Sequence, residues 1–393
     1  MDPNPNHYTY LIIGGGMTAD AAVQGIRSLD MTGRIGILTQ ENDPPYDRPP
    51  LTKELWFGKP LETIWRKTEQ HHVNLMLGKT AISIDPGAHT VIDESGAIYT
   101  YDKLLLATGG TPKRLDCFNE GVIYYRTHGD YLHLRNLYAE GNNFVVIGGG
   151  FIGTEIAAAL AMNGKNVTLI FKERTLGAQH FPKKFSQFLS AYFTEQGVRL
   201  VPGQTIQSVT PVHTKWKVIT SHDEAFFADG VIAGLGIHPN IQLAQAAGAT
   251  VDNGIVVDEY LHTSLADVWA AGDVANFYCP HLEKRVRIEH EDAANSMGKA
   301  AGLNMAGACS SYTYLPFFYS DLFDLSYEAI GEIASDMQIL EDWIDPNLRG
   351  TIYFLKDGKL RGALLLGVWD QIPKIREIIA SQQPFSLPAV LNQ

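Results

Sequence analysis

The chain has 393 residues, of which 45% are hydrophobic and 19% charged, with a formal net charge of −12. That length sets a prior of two or three domains with an ample core. The acidic balance, without any long basic run, argues against nucleic acid or an anionic membrane as the main partner.

Residues 1–7 are polar and too short for a signal peptide, and no apolar run reaches about 18 residues, so no leader and no membrane span are expected. Residues 8–13 read as a buried strand, Gly14-Gly15-Gly16 as a turn and 17–29 as a helix. Gly14 lets the chain turn at the strand end. Gly16 leaves room for a pyrophosphate against the backbone, and Ala19 is small enough for close helix–strand packing. Taken alone, this stretch is equally a plain tight turn. Residues 34–39 read as the next strand, ending at Glu41. A carboxylate about twenty residues past such a turn commonly bonds ribose hydroxyls, and equally it is a solvated loop charge. The loop Pro44-Pro-Tyr-Asp-Arg-Pro-Pro-Leu-Thr-Lys53 is stiffened by proline and carries Arg48 and Lys53. It is a surface turn unless a ligand recruits those cations.

Residues 80–102 alternate like a small antiparallel sheet, and Tyr101–Ala107 is a buried strand that runs into Gly109-Gly110. A polar linker spans 111–121. Residues 143–173 then repeat the opening pattern: a strand, Gly148-Gly149-Gly150 with Gly153 completing G-x-G-x-x-G, an alanine-rich helix over 151–163, and a strand ending at Glu173. Two dinucleotide-type turns in one chain point to two bound dinucleotides, and so to electron transfer between them. Glu173 would accept bonds from a free ribose 2′-hydroxyl and repel a 2′-phosphate, which favours NADH over NADPH; Arg174 beside it pulls the other way.

A helix is expected over 182–196 and strands around 198–219 and 229–233. The chain then returns through 255–263 to a buried strand ending Gly272-Asp273, and to a helix from Glu289 to about Met305. Aromatics crowd 312–327. Strands at 328–334 and 350–368, the latter broken by Asp357-Gly358, and a helix near 371–381 form a small antiparallel third domain. Cys117, Cys279 and Cys309 are far apart and odd in number, so neither a disulfide framework nor a metal pair is present. A reducing cytoplasm fits.

The ordered set GGGMTA, YDRPPLTK, LLLATGG, GGGFIG and VWAAGD resembles the FAD- and NAD(P)-dependent pyridine-nucleotide oxidoreductases of the glutathione-reductase fold, over nearly the whole chain. YDRPPLTK is similar to the ferredoxin-reductase and apoptosis-inducing-factor branch. PPLTKELWFG, RIEHEDAANSMGKAAGLNMAG and YSDLFDLSYEAIG look closest to apoptosis-inducing factor, in a prokaryotic-type form. The resemblance implies an α/β protein with two Rossmann-like domains and a small α+β C-terminal domain: FAD on 1–113 and 243–312, NAD on 114–242, and 313–393 as the third.

By the same resemblance Gly14, Gly16, Ala19, Glu41, Arg48, Lys53 and Lys113 hold FAD, and Asp273 binds its ribityl chain. Glu289 and His290 border the flavin ring, and Tyr319 flanks it where apoptosis-inducing factor has tryptophan. Gly148, Gly150, Phe151, Ile152, Glu155, Glu173, Gly236 and Glu328 line the nicotinamide-nucleotide site. Lys53 and Glu155 form an ion pair near flavin N5 and are the residues expected to serve hydride transfer. On the residues alone, His290 is equally a helix-start histidine, Tyr319 plain core and Glu155 a helix-dipole carboxylate.

No cysteine lies between Glu41 and Gly78, which excludes a dithiol relay and argues against a peroxidase-type NADH oxidase. The implied activity is hydride transfer from NADH to FAD, with electrons passed to a ferredoxin, rubredoxin, quinone or small oxidant. The alternative is an NADH-responsive redox sensor, with a long-lived reduced state and reduction-linked homodimerisation.

Overall fold

The computed structural model describes residues 5–117 and 119–386; the ends of the first and third expected domains, 1–4 and 387–393, lie outside the described residues. The chain divides into two compact units, 1–48 with 62–111 and 238–316, and 49–61 with 112–237 and 317–393.

The first unit is built on a seven-stranded sheet. Its parallel part runs Val73–Met76, Ile35–Leu38, His7–Ile13, Ile98–Leu106 and Val268–Ala270. The ends of the central strands, Tyr10–Ile13, Ile35–Leu38 and Leu104–Leu106, are buried without alternation, as a sheet covered on both faces requires. Residues expected to form a separate antiparallel sheet instead extend this one. The hairpin Ala81–Asp85/Thr90–Asp93 pairs onto the start of Ile98–Leu106, whose later half runs parallel to its neighbours.

Helix Met17–Arg27 packs along helix Glu291–Met305. Glycine makes the approach possible: a Cβ at Gly302 would lie 2.1 Å from the Ala22 carbonyl oxygen, and one at Gly298 2.4 Å from that of Thr18.

The second unit contains a five-stranded parallel sheet ordered Arg199–Pro202, Asn166–Phe171, Asn143–Ile147, Gly230–Ala233, Val122–Tyr124. The antiparallel strands Ile206–Val212, Lys215–Thr220 and Ala225–Ala228 bury Val209, Val218 and Phe226 against Val145, Ile170 and Val231 of that sheet. A second five-stranded sheet, fully antiparallel, is ordered Phe317–Leu322, Leu325–Gly331, Lys359–Leu366, Arg349–Lys356, Gln338–Asp345, and helix Ile372–Ser381 packs on it.

The expected α/β class is met, with corrections in detail. Helix His128–Glu140 was not expected; it buries only His128, Tyr131 and Leu134, and so has little apolar period, but Thr127 and Asp130 close a capping box at its start. Strands Phe317–Leu322 and Gln338–Asp345 were also missed, the first hidden in the aromatic crowd and the second without a fully buried residue. The strand expected at 328–334 lies at Leu325–Gly331. Among the described residues no helix is long and apolar enough to cross a membrane.

Gly302→Val drives side-chain atoms into the Ala22 backbone. It should lower the denaturation midpoint of the protein, by an amount equivalent to about 1–3 kcal/mol, as followed by circular dichroism in urea.

Candidate active site

Each unit carries one glycine turn between a parallel strand and a helix. Gly14 and Gly148 have φ of +110° and +107°, a region that side chains rarely adopt. The helix that follows each turn is capped by glycine, Gly16 or Gly150, with no side-chain hydrogen bond to its first N–H groups. A Cβ on Gly150 would meet nothing within 4 Å, and one on Gly16 only the Arg48 guanidinium, at 3.9 Å. Both helix starts therefore leave an open, electropositive backbone surface. At Gly153 a Cβ would fall 1.9 Å from the Gly148 carbonyl oxygen; the corresponding Ala19 is wholly buried.

In the first unit the expected residues gather around the helix start. Arg48 forms an ion pair with Glu41 at 2.5 Å, while the Tyr46 hydroxyl donates to the other Glu41 oxygen at 2.7 Å. The guanidinium also lies over the Tyr46 ring. Gly272, at the turn that carries Asp273, abuts Thr18 in the first helical turn. Arg287 donates to the Asp273 carbonyl at 3.0 Å and pairs with Glu289 at 2.6 Å. His290 is the residue that precedes helix Glu291–Met305.

In the second unit the ion pair expected between Lys53 and Glu155 is present. Nζ lies 2.5 Å from Oε1, and the two side chains are 8% and 5% exposed. Buried charges persist only when their remaining hydrogen-bonding capacity is filled. Here the Thr52 hydroxyl donates to Glu155 Oε2 at 2.6 Å and the Ser320 hydroxyl to Oε1 at 2.7 Å. The ammonium also sits 5.2 Å from the Tyr319 ring centroid. The Lys53 segment is itself pinned, because the Leu51 carbonyl accepts from Trp56 Nε1 and from the Tyr125 hydroxyl.

Tyr319 stands directly opposite Glu328 across two antiparallel strands. Burial, and then the nearby Asp370 charge, push the Glu328 carboxyl above its ordinary value. Its Oε2 is buried without a hydrogen-bond partner among the described residues. Phe151 packs edge-on against Phe318 and stacks on His180, whose imidazole burial holds below its ordinary value. Glu173 accepts from Gln179 at 2.9 Å and lies 3.9 Å from Lys172. Lys113 packs with this unit: its backbone N–H donates to the Gly236 carbonyl at 2.9 Å. Ile152 is 40% exposed in the first turn of its helix.

Thr52, Ser320, Tyr46, Gln179 and His180 were not singled out from the sequence. Tyr46 and Thr52 lie within YDRPPLTK and Ser320 within YSDLFDLSYEAIG, so those motifs covered them without giving them a role; Gln179 and His180 lie in none of the motifs.

Residues 8–298 match the family described as pyridine nucleotide-disulphide oxidoreductase. The chain is 30% identical to mitochondrial apoptosis-inducing factor 1 of Dictyostelium discoideum, over 96% of this chain and 79% of that protein. It is 30% identical to the ferredoxin–NAD(+) reductase component of the anthranilate 1,2-dioxygenase system of Burkholderia cepacia, over 95% and 94%. The crystal structure of the covalent putidaredoxin reductase–putidaredoxin complex superposes with a TM-score of 0.89 at 26% identity, covering 97% of this chain and 94% of that one.

The raised Glu328 carboxyl has a consequence for stability. Its ionisation costs more in the folded than in the unfolded chain. The cost is absent below the ordinary glutamate range, accumulates as pH rises through the raised value, and is constant above it. Glu328→Gln removes it, so at neutral pH the variant should unfold at the same temperature as the native chain or higher, and at low pH the advantage should vanish. Calorimetry at the two pH values checks this.

Proposed function

The chain belongs to the pyridine nucleotide-disulphide oxidoreductase family, and we propose that within it this oxidoreductase binds FAD, takes hydride from NADH and hands the electrons to an external acceptor of the ferredoxin type. The observation that carries the reading is the doubled glycine turn, with an open helix start in each compact unit. The relative from Burkholderia cepacia, by name a ferredoxin–NAD(+) reductase component, supports the choice of donor and acceptor.

FAD is assigned to 1–113 and 243–312, NADH to 114–242, with 313–393 as a third domain. When bound, the flavin supplies a ring that accepts hydride from a reduced nicotinamide and releases electrons to the acceptor. The chain's residues bind and orient. Gly14, Gly16 and Ala19 present the backbone to the FAD pyrophosphate, with the Arg48 cation beside Gly16 to neutralise it. Glu41, held by Arg48 and Tyr46, retains lone pairs for ribose hydroxyls. Asp273, Glu289, His290, Lys113 and Tyr319 complete the FAD set.

Gly148, Gly150, Phe151, Ile152 and Gly236 receive NADH. The unpaired Glu328 oxygen accepts an amide N–H of the ligand, which fits a buried acceptor left without a partner. Lys53, fixed by Glu155, places a cation where negative charge develops during reduction. With three free cysteines, Cys117, Cys279 and Cys309, and none between Glu41 and Gly78, no thiol relay stands between donor and acceptor. Free thiols also suit the cytoplasm.

Purified protein should be yellow and lose its colour under anaerobic NADH. Turnover should then follow with a ferredoxin in a panel that also holds rubredoxin, a quinone and oxygen. Protein that stays reduced with every acceptor and changes its elution volume would instead be a sensor. Glu173, half-buried and braced by Gln179, is assigned the preference for NADH. Glu173→Ala should lower the ratio of kcat/KM for NADH over NADPH about tenfold, equivalent to about 1.4 kcal/mol; an unchanged ratio removes Glu173 from the specificity.

A further inference from the structure

The Lys53–Glu155 pair is embedded in a larger hydroxyl network that the reading above leaves without a task. Thr52 and Ser320 are 6% and 1% exposed, and both hydroxyls donate to one carboxylate, that of Thr52 at 2.6 Å with the Pro49 carbonyl oxygen farther off at 3.2 Å. They come from distant parts of the chain, Thr52 from the 49–61 segment and Ser320 from the antiparallel sheet. The carboxylate accepts only, so the single Ser320 proton is committed to it. Tyr327 stands directly opposite Ser320 across the two strands.

The direction of each bond to Glu155 is therefore determined. Ser320 donates to Glu155 Oε1, Thr52 to Oε2, and Lys53 to Oε1. A carboxylate bonded to Lys53 alone could rotate about its side chain and carry the ammonium with it. Held at both oxygens by buried hydroxyls, it cannot.

We propose that Thr52 and Ser320 are positioning residues that hold Glu155 and so fix the Lys53 ammonium that serves the flavin. The inference rests on the flavin reading above. It assigns to two hydroxyls outside the cofactor contacts a measurable share of the preference for reduced over oxidised flavin. A side chain that merely fills space would stabilise both redox states equally and leave that preference unchanged.

The test is the midpoint potential of the bound flavin, measured by anaerobic reductive titration of the full-length protein against a reference dye. Thr52→Val keeps the shape and removes the hydroxyl; Ser320→Ala removes the other. The double variant should bind flavin and show the native circular dichroism spectrum, with the equilibrium for two-electron reduction weakened about tenfold, a fall of about 30 mV. Its limiting rate of reduction by NADH should drop while the dissociation constant for NADH holds. Thr52→Ser, which keeps the hydroxyl, should stay at the native potential. A yellow double variant at the native potential overturns the inference alone. A fall in potential matched by Thr52→Ser also overturns it, since packing rather than the hydroxyl would be at work. A native chain that is colourless and takes up no added flavin overturns the flavin reading, and this inference with it.

Discussion

An ammonium and a carboxylate cannot be buried together unless almost every remaining donor and acceptor around them is filled. That constraint explains why the second unit is assembled as it is. Glu155 sits in the first turns of the helix that follows the second glycine turn. Lys53 and Thr52 arrive on a short segment whose sequence neighbours on both sides belong to the first unit, yet which packs with the second. Ser320 comes from the edge strand of the antiparallel sheet. Three stretches far apart in sequence thus meet at one carboxylate. Removing one partner from such a pair typically costs about 3–5 kcal/mol, whereas replacing both by apolar groups is often neutral. The pair is therefore a poor device for stability alone, and its retention asks for a functional reason.

The two glycine turns impose a different constraint, one of space. Gly14 and Gly148 adopt backbone angles that a side chain would strain, and a Cβ on either would strike a carbonyl oxygen of the neighbouring strand connection. Gly16 and Gly150 are the reverse case, since among the described residues nothing crowds them beyond the Arg48 guanidinium. Crowding at the first glycine and openness at the third fit a turn that packs inward and binds outward. In the first unit the Arg48–Glu41–Tyr46 cluster and the Arg287 bridge gather charged groups around that opening.

Much of this was legible in the sequence, because strand–turn–helix units announce themselves locally. Apolar runs ending in Gly-rich turns located both parallel sheets, and Lys53, Glu155, Glu41 and Arg48 were singled out through motifs. What escaped depends on partners remote in the chain. Helix His128–Glu140 buries too few residues to show a period, although its capping box was there to be read. Strand Phe317–Leu322 lay in a stretch where nearly every residue is bulky, so no alternation stood out. Ser320 lies 165 positions from the carboxylate it serves, and Tyr327 meets Ser320 only through strand register. A hydroxyl acquires meaning from what it touches, and no local pattern states that.

The central claim is that the buried pair serves electron transfer rather than folding. The most direct measurement is the anaerobic rate of reduction by NADH in the double replacement Lys53→Met/Glu155→Leu, which removes both charges and keeps similar volumes. The account predicts a folded, yellow protein that melts near the native temperature and is reduced about a hundredfold more slowly. Reduction at the native rate in that protein would contradict it.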